Sequence, residues 1–303
     1  MTTFVLDPDY KAFIQRYLDA SALSTATSVA QQRLDYEAMV RQFTHPRPAG
    51  VHTEDSLAEG RHGPVPLRRY RFRQGNDGAL ILFLHGGGFI LGSLDSHDDI
   101  CAELCAATGC DLVSVDYRLS PEFRHPVHLD DVEDAFHACD QGNTILLGVS
   151  AGGTLAAALS HRLRNQARRA SGQVLVYPSL GGDQFDLASY ADNAEAPLLS
   201  TADIRFYRGV RCGDQQPPLD DPEFYPLVAA DFGTCPATVA ISADIDPLRD
   251  DADYYVRQLR AAGVEARWIN EPGLTHDYLR ARHQSVRAGQ AFDRICDATR
   301  GLA

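Results

Sequence analysis

Compact apolar runs recur along the chain at ALILFL (79–84), DLVSVDY (111–117), TILLGV (144–149), QVLVY (173–177) and TVAIS (238–242). Strands buried on both faces read as continuous Val/Ile/Leu runs, so this pattern predicts a parallel sheet covered on both sides. A further run, VEARWI (264–269), alternates, and residues 51–73 have the pattern of an edge hairpin. Helical periodicity fills the intervals. In Ala151 to Arg169, for example, Leu155, Leu159 and Leu163 repeat every fourth residue, and the arginine-rich end suits the negative pole of a helix dipole.

Residues 1–50 predict helices before the sheet begins. Phe13, Ile14, Tyr17 and Leu18 form one apolar stripe, and Leu34, Tyr36, Met39, Val40 and Phe43 another, with Pro46 and Pro48 closing the segment. One interval breaks the rhythm: the stretch from Tyr177 to Thr238 is far longer than a strand-to-helix connection needs. Residues 179–236 are therefore read as an insertion above the sheet. Together with the N-terminal helices (1–50) it would cap a catalytic domain spanning 51–303.

Composition narrows the chemistry. Lys+Arg number 28 against 41 Asp+Glu, a net charge of −13 that repels phosphate-rich polymers and anionic membranes. Lys11 is the single lysine, and no G-x-x-x-x-G-K-[ST] stretch exists, which argues against Schiff-base and nucleoside triphosphate chemistry. The seven cysteines include no C-x-x-C pair and read as buried reduced thiols of a cytoplasmic protein. The start MTTFVLDPDYK has neither a basic region nor a long apolar run, so no leader or membrane span is expected there.

Gly148-Val149-Ser150-Ala151-Gly152 has the form G-x-S-x-G and stands where a predicted strand meets a predicted helix. A sharp turn there forces the serine into a strained backbone, which demands small neighbours and exposes Oγ at the strand ends. The bland alternative is a serine that merely starts a helix. His85-Gly86-Gly87-Gly88 follows the first sheet run; its unobstructed N–H groups, those of Gly86 and Gly87 with Ala151, suit an oxyanion formed by attack on a carbonyl. Dinucleotide binding is disfavoured, because Leu91 occupies the final glycine position of G-x-G-x-x-G.

A serine needs a base and an orienting acid. His276 in PGLTHDY lies after the last run, and Asp244, Asp246 and Asp250 cluster after TVAIS; spacing alone does not choose among the three aspartates. His125-x-x-His128 beside Asp130 and Asp131 has some look of a metal site but lacks a convincing third ligand, so no metal and no cofactor are expected. Phe89, Tyr190, Phe206 and Tyr207 are candidate pocket walls, with core packing an equal alternative for each.

The motifs together resemble the bacterial hormone-sensitive-lipase-like esterases. The matches are His85-Gly86-Gly87-Gly88-Phe89, Tyr117-Arg118-Leu119-Ser120-Pro121-Glu122, Gly148-Val149-Ser150-Ala151-Gly152-Gly153, Asp246-Pro247-Leu248-Arg249-Asp250 and Pro272-Gly273-Leu274-Thr275-His276. The resemblance implies an α/β-hydrolase fold: a mostly parallel eight-stranded sheet with helices on both faces and a helical cap. It also implies Asp246 as the triad acid, Gly86, Gly87 and Ala151 as the oxyanion hole, and short-chain acyl esters as substrates. Three positions depart from the family: Val149 where an acidic residue is frequent, Asp277 where glycine is common, and Ser120 where alanine is usual. The expected partner is a small-molecule ester, with no nucleic acid and no membrane; a homodimer is left open. Amidase, lactonase or deacetylase activity would use the same triad. A receptor on the same fold, such as the plant gibberellin receptors, would have lost the histidine.

Overall fold

The computed structural model describes residues 4–22, 28–73 and 78–303. Its strands are β1 (Val51–Ala58), β2 (Val65–Phe72), β3 (Leu80–Leu84), β4 (Asp111–Val115), β5 (Thr144–Val149), β6 (Gly172–Val176), β7 (Ala237–Ile245) and β8 (Ala266–Thr275). They form one eight-stranded sheet in the order β1-β2-β4-β3-β5-β6-β7-β8. β1, β2 and β4 pair antiparallel, and every pairing from β4 through β3 to β8 is parallel. β3, β5 and β6 are buried at every position, as continuous apolar runs require when helices cover both faces.

The helices are α1 (Pro8–Ser21), α2 (Val29–Val40), α3 (Asp98–Thr108), α4 (Val127–Cys139), α5 (Ala151–Leu163), α6 (Ser189–Asp192), α7 (Thr201–Cys212), α8 (Arg249–Ala261) and α9 (Val286–Leu302). Two apolar cores result, one on each face of the sheet: Phe83, Leu147 and Phe292 belong to one, Leu82, Leu146 and Leu155 to the other. α5 follows β5 directly and closes at Leu163, short of the Arg169 that its charge pattern suggested.

Two further expectations change. Both N-terminal helices form, but α1 packs through Tyr10, Phe13 and Ile14 while Leu18 lies half exposed, and Leu34 of α2 is exposed. The apolar stripe is therefore Tyr10, Phe13, Ile14 and Tyr17, an i, i+3, i+4, i+7 set that leaves Leu18 at its edge. The last strand is longer than VEARWI: β8 continues through Pro272 and Gly273 to Thr275, with a register shift against β7 between Ala243 and Ile245 and a left-handed φ of 70° at Gly273. Glycine accommodates that φ without strain, so the strand bends there instead of ending. His276 thus directly follows the end of a strand.

Candidate active site

Ser150 occupies the junction of β5 and α5 with φ 55° and ψ −117°, a conformation costly for any residue bearing a Cβ. Small neighbours make it possible. A Cβ on Gly148 would lie 2.2 Å from the Gly152 carbonyl oxygen, and one on Gly152 would lie 2.0 Å from that of Leu84. The strained turn is thus locked between β3 and α5, and Oγ is presented at the carboxyl ends of the strands.

His276 Nε2 lies 2.8 Å from Ser150 Oγ, and His276 Nδ1 lies 2.7 Å from Asp246 Oδ2. Asp246 is fully buried, and its other oxygen accepts the Leu248 N–H at 2.9 Å. A buried acceptor at Nδ1 fixes the tautomer in which Nε2 is free to accept the serine proton. The competing aspartates are engaged elsewhere. Asp244 accepts from Asn270 Nδ2 and the Gly273 N–H, and Asp250 accepts the Ser189 N–H and pairs with Arg249.

The histidine is held from several sides. The Tyr177 ring lies 4.6 Å from it, centroid to centroid. Tyr10 of α1 accepts the Thr275 N–H at 3.1 Å and meets Thr275 Oγ1 at 2.8 Å, and Thr275 Oγ1 donates to the His276 carbonyl. Asp277, the residue that stands in place of the family's usual glycine, adopts φ 60° and accepts from Tyr17 Oη at 3.1 Å and Arg280 Nε at 3.0 Å. The N-terminal helix therefore bears directly on the loop that carries His276.

Opposite lies the His85–Phe89 loop. Gly87 has φ 121°, and a Cβ there would come within 2.2 Å of the Leu91 carbonyl oxygen, so no other residue fits. Among the described residues, none of the Gly86, Gly87 and Ala151 N–H groups donates to a protein acceptor, and all three residues line the same cavity as Ser150 and His276. His85 does not face that cavity. Its ring stacks on Tyr117 at 4.3 Å, Nδ1 bonds the Gly86 carbonyl, and burial pulls it down to about 4, so it acts as a neutral brace for the loop. Val149 is buried in the core and contributes no polar support at that position.

The cavity encloses about 130 Å³. Phe89 and Tyr207 line it; a Cβ on Gly88 would lie 2.5 Å from the Tyr207 ring. The two other expected wall residues do not. Tyr190 sits behind the wall, its ring packed with Leu199 and Leu248 and its hydroxyl donating to Asp251. Phe206 is 57% exposed, because α7 turns Ile204, Tyr207, Arg208 and Arg211 inward and leaves residue 206 on the opposite side. That i, i+3, i+4, i+7 spacing is visible in the sequence and would have named three wall residues that aromaticity alone missed. Tyr17 of α1 and Tyr36 of α2 also line the cavity, as does Leu198 of the 179–236 segment.

The histidines once grouped as a metal motif separate. His125 bonds Asp221, His128 bonds Ser120, Asp130 pairs with Arg162 and Asp131 with Arg118. Among the described residues no helix is long and apolar enough to cross a membrane.

A family model described as an alpha/beta hydrolase fold matches residues 81–280. The carboxylic ester hydrolase LipN of Mycobacterium tuberculosis is 31% identical over 293 residues, covering 90% of this chain and 77% of that protein. The ethyl acetate hydrolase of Pseudomonas putida is 31% identical over 300 residues, covering 91% and 92%. Among solved structures, a hyperthermophilic esterase from the archaeon Pyrobaculum calidifontis superposes with a TM-score of 0.88 at 28% identity, covering 98% of this chain and 99% of that one. An esterase of the bacterial hormone-sensitive lipase family gives 0.86 at 25% identity, covering 100% and 99%. On its fold, its motifs and these likenesses, this chain belongs to the alpha/beta-hydrolase family, in the branch of the bacterial hormone-sensitive-lipase-like esterases.

Proposed function

We propose that the protein is a serine carboxylesterase hydrolysing short-chain acyl esters through an acyl-enzyme on Ser150. The observation that carries this is the unbroken run of hydrogen bonds from Asp246 through His276 to Ser150, facing free N–H groups across one small cavity. His276 takes the serine proton as Oγ attacks the ester carbonyl. The Gly86, Gly87 and Ala151 N–H groups hold the developing oxyanion, and Asp246 stabilises the imidazolium. His276 then protonates the leaving alcohol, and water, activated by the same imidazole, releases the acid. No step calls on a cofactor or metal.

α1, α2 and the 179–236 insertion serve as a cap, and the bulk of Tyr207 above Gly88 limits acyl length. Buried free thiols at all seven cysteines fit a reducing, cytoplasmic setting. A p-nitrophenyl ester series tests the substrate class: kcat/KM is expected to peak among acetate to hexanoate esters and to fall for longer chains. A preference for long acyl chains refutes the small-pocket reading.

A further inference from the structure

Arg211 is 3% exposed and lines the cavity beside the oxyanion loop. Its guanidinium is sandwiched between the Phe89 ring, 4.1 Å away, and the Phe224 ring, 4.0 Å away. Nη1 donates to the Phe224 carbonyl at 3.0 Å, and Nη2 to the Glu223 carbonyl and to His125 Nδ1, both at 3.4 Å. Nε has no partner. Burial lowers its affinity for the proton only to about 10, so it is a cation at neutral pH.

What sets Arg211 apart is the missing counter-charge. The carboxylates at the cavity wall are already matched to other arginines, Asp183 with Arg208 and Asp277 with Arg280. Among the described residues no carboxylate pairs with Arg211; Asp221 reaches it only through His125, whose Nε2 lies 2.9 Å from Asp221 Oδ2. A buried cation without a paired anion is unfavourable, and an anionic group of a ligand in the cavity would relieve that cost. The aromatic faces and carbonyl oxygens steady the guanidinium but do not neutralise it. Its planar array of N–H donors matches a carboxylate.

We propose that Arg211 is a recognition point for a carboxylate on the substrate, so that the enzyme prefers esters bearing a negative charge away from the scissile bond. This rests on the esterase reading above and narrows its substrate class. The two sides of the ester are probed by two pairs, each followed by acid release at neutral pH. Monomethyl glutarate against methyl valerate places the charge on the acyl side; 3-acetoxypropionate against propyl acetate places it on the alcohol side.

In one pair the wild type is expected to favour the charged member in kcat/KM. Arg211→Met and Arg211→Gln lower that charged-to-neutral ratio tenfold or more, and Arg211→Lys restores part of it. A guanidinium serving only to hold α7 in place would lower both members alike and leave the ratio unmoved. That outcome, or a wild type favouring the neutral ester in both pairs, overturns the proposal, and the second needs no folded variant. Ser150-dependent turnover of neutral esters without charge preference would leave the esterase reading standing, whereas no Ser150-dependent turnover of any ester would end both.

Discussion

Replacing Asp246 by Asn changes one atom type and inverts the proton logic of the site. Asp246 Oδ1 accepts the Leu248 N–H at 2.9 Å while Oδ2 faces His276 Nδ1 at 2.7 Å. An asparagine must keep its amide oxygen toward Leu248, since an NH2 group there would oppose the backbone N–H. Its NH2 is then turned to His276 Nδ1, which must become the acceptor, and the ring proton moves to Nε2. The imidazole can then donate to Ser150 Oγ but cannot take its proton. Loss of the correct tautomer is worth a factor of roughly 10³–10⁴ in kcat, or about 4–5.5 kcal/mol of transition-state stabilisation. Fold stability should change little, because the neutral amide keeps the shape and relieves the burial of a charge. The assay is kcat on p-nitrophenyl butyrate, with circular dichroism and thermal melting as controls. Asp244→Asn and Asp250→Asn serve as comparators and are expected to stay within tenfold of wild type, since their carboxylates bond backbone and neighbouring side chains away from His276. An Asp246→Asn enzyme with wild-type melting and turnover within tenfold would mean that Asp246 does not set the His276 tautomer.

Gly88→Ala places a methyl group 2.5 Å from the Tyr207 ring at a φ of 62°, so kcat/KM for the butyrate ester should drop at least tenfold; pairing it with Tyr207→Ala recovers part of the loss if the collision is the cause. Tyr10→Phe leaves the buried Thr275 N–H without its acceptor, which costs about 1–3 kcal/mol and lowers Tm by roughly 2–6 °C in a scanning melt; an unchanged Tm would contradict the bracing role. Asp251 is fully buried, accepting the Leu180 and Gly182 N–H groups and the Tyr190 hydroxyl, and burial pushes its carboxyl up to about 7. A raised acid binds its proton more tightly folded than unfolded, so its contribution to stability is full below about pH 4 and is lost as pH rises toward 7. Chemical denaturation from pH 4 to 7.5 should show that decline shrink in Asp251→Asn; an identical profile refutes the assignment.

Much of this architecture was legible in the sequence because its signals are local. Continuous apolar runs at 79–84 and 144–149 became β3 and β5, and the elbow at Ser150 depends only on small residues within reach of the turn. The segments that escaped the reading depend on tertiary partners. Tyr10 shares an i, i+3, i+4, i+7 stripe with Phe13, Ile14 and Tyr17, but its bond to Thr275, nearly the whole chain away, has no local signal. Pro272 and Gly273 looked like loop residues, yet β8 carries them through a bend because β7 pairs on either side of it, at Glu271 and Thr275, and Asp244 accepts the Gly273 N–H. Spacing alone did not separate Asp246 from Asp244 and Asp250; the motif resemblance singled it out, and its carboxylate is the one within reach of the imidazole. Aromatic residues 190 and 206 were named for their type, while helix phase and a hydrogen bond to Asp251 decided where they point.

In the proposed reaction Ser150 attacks the ester carbonyl with His276 as its base. Intact-mass analysis after exposure to a fluorophosphonate, followed by peptide mapping, tests it most directly. One equivalent of label is expected on Ser150, abolished together with ester turnover by Ser150→Ala and strongly slowed by His276→Ala. Full turnover in the Ser150→Ala enzyme, or label carried on another residue while Ser150 stays unmodified, would contradict it.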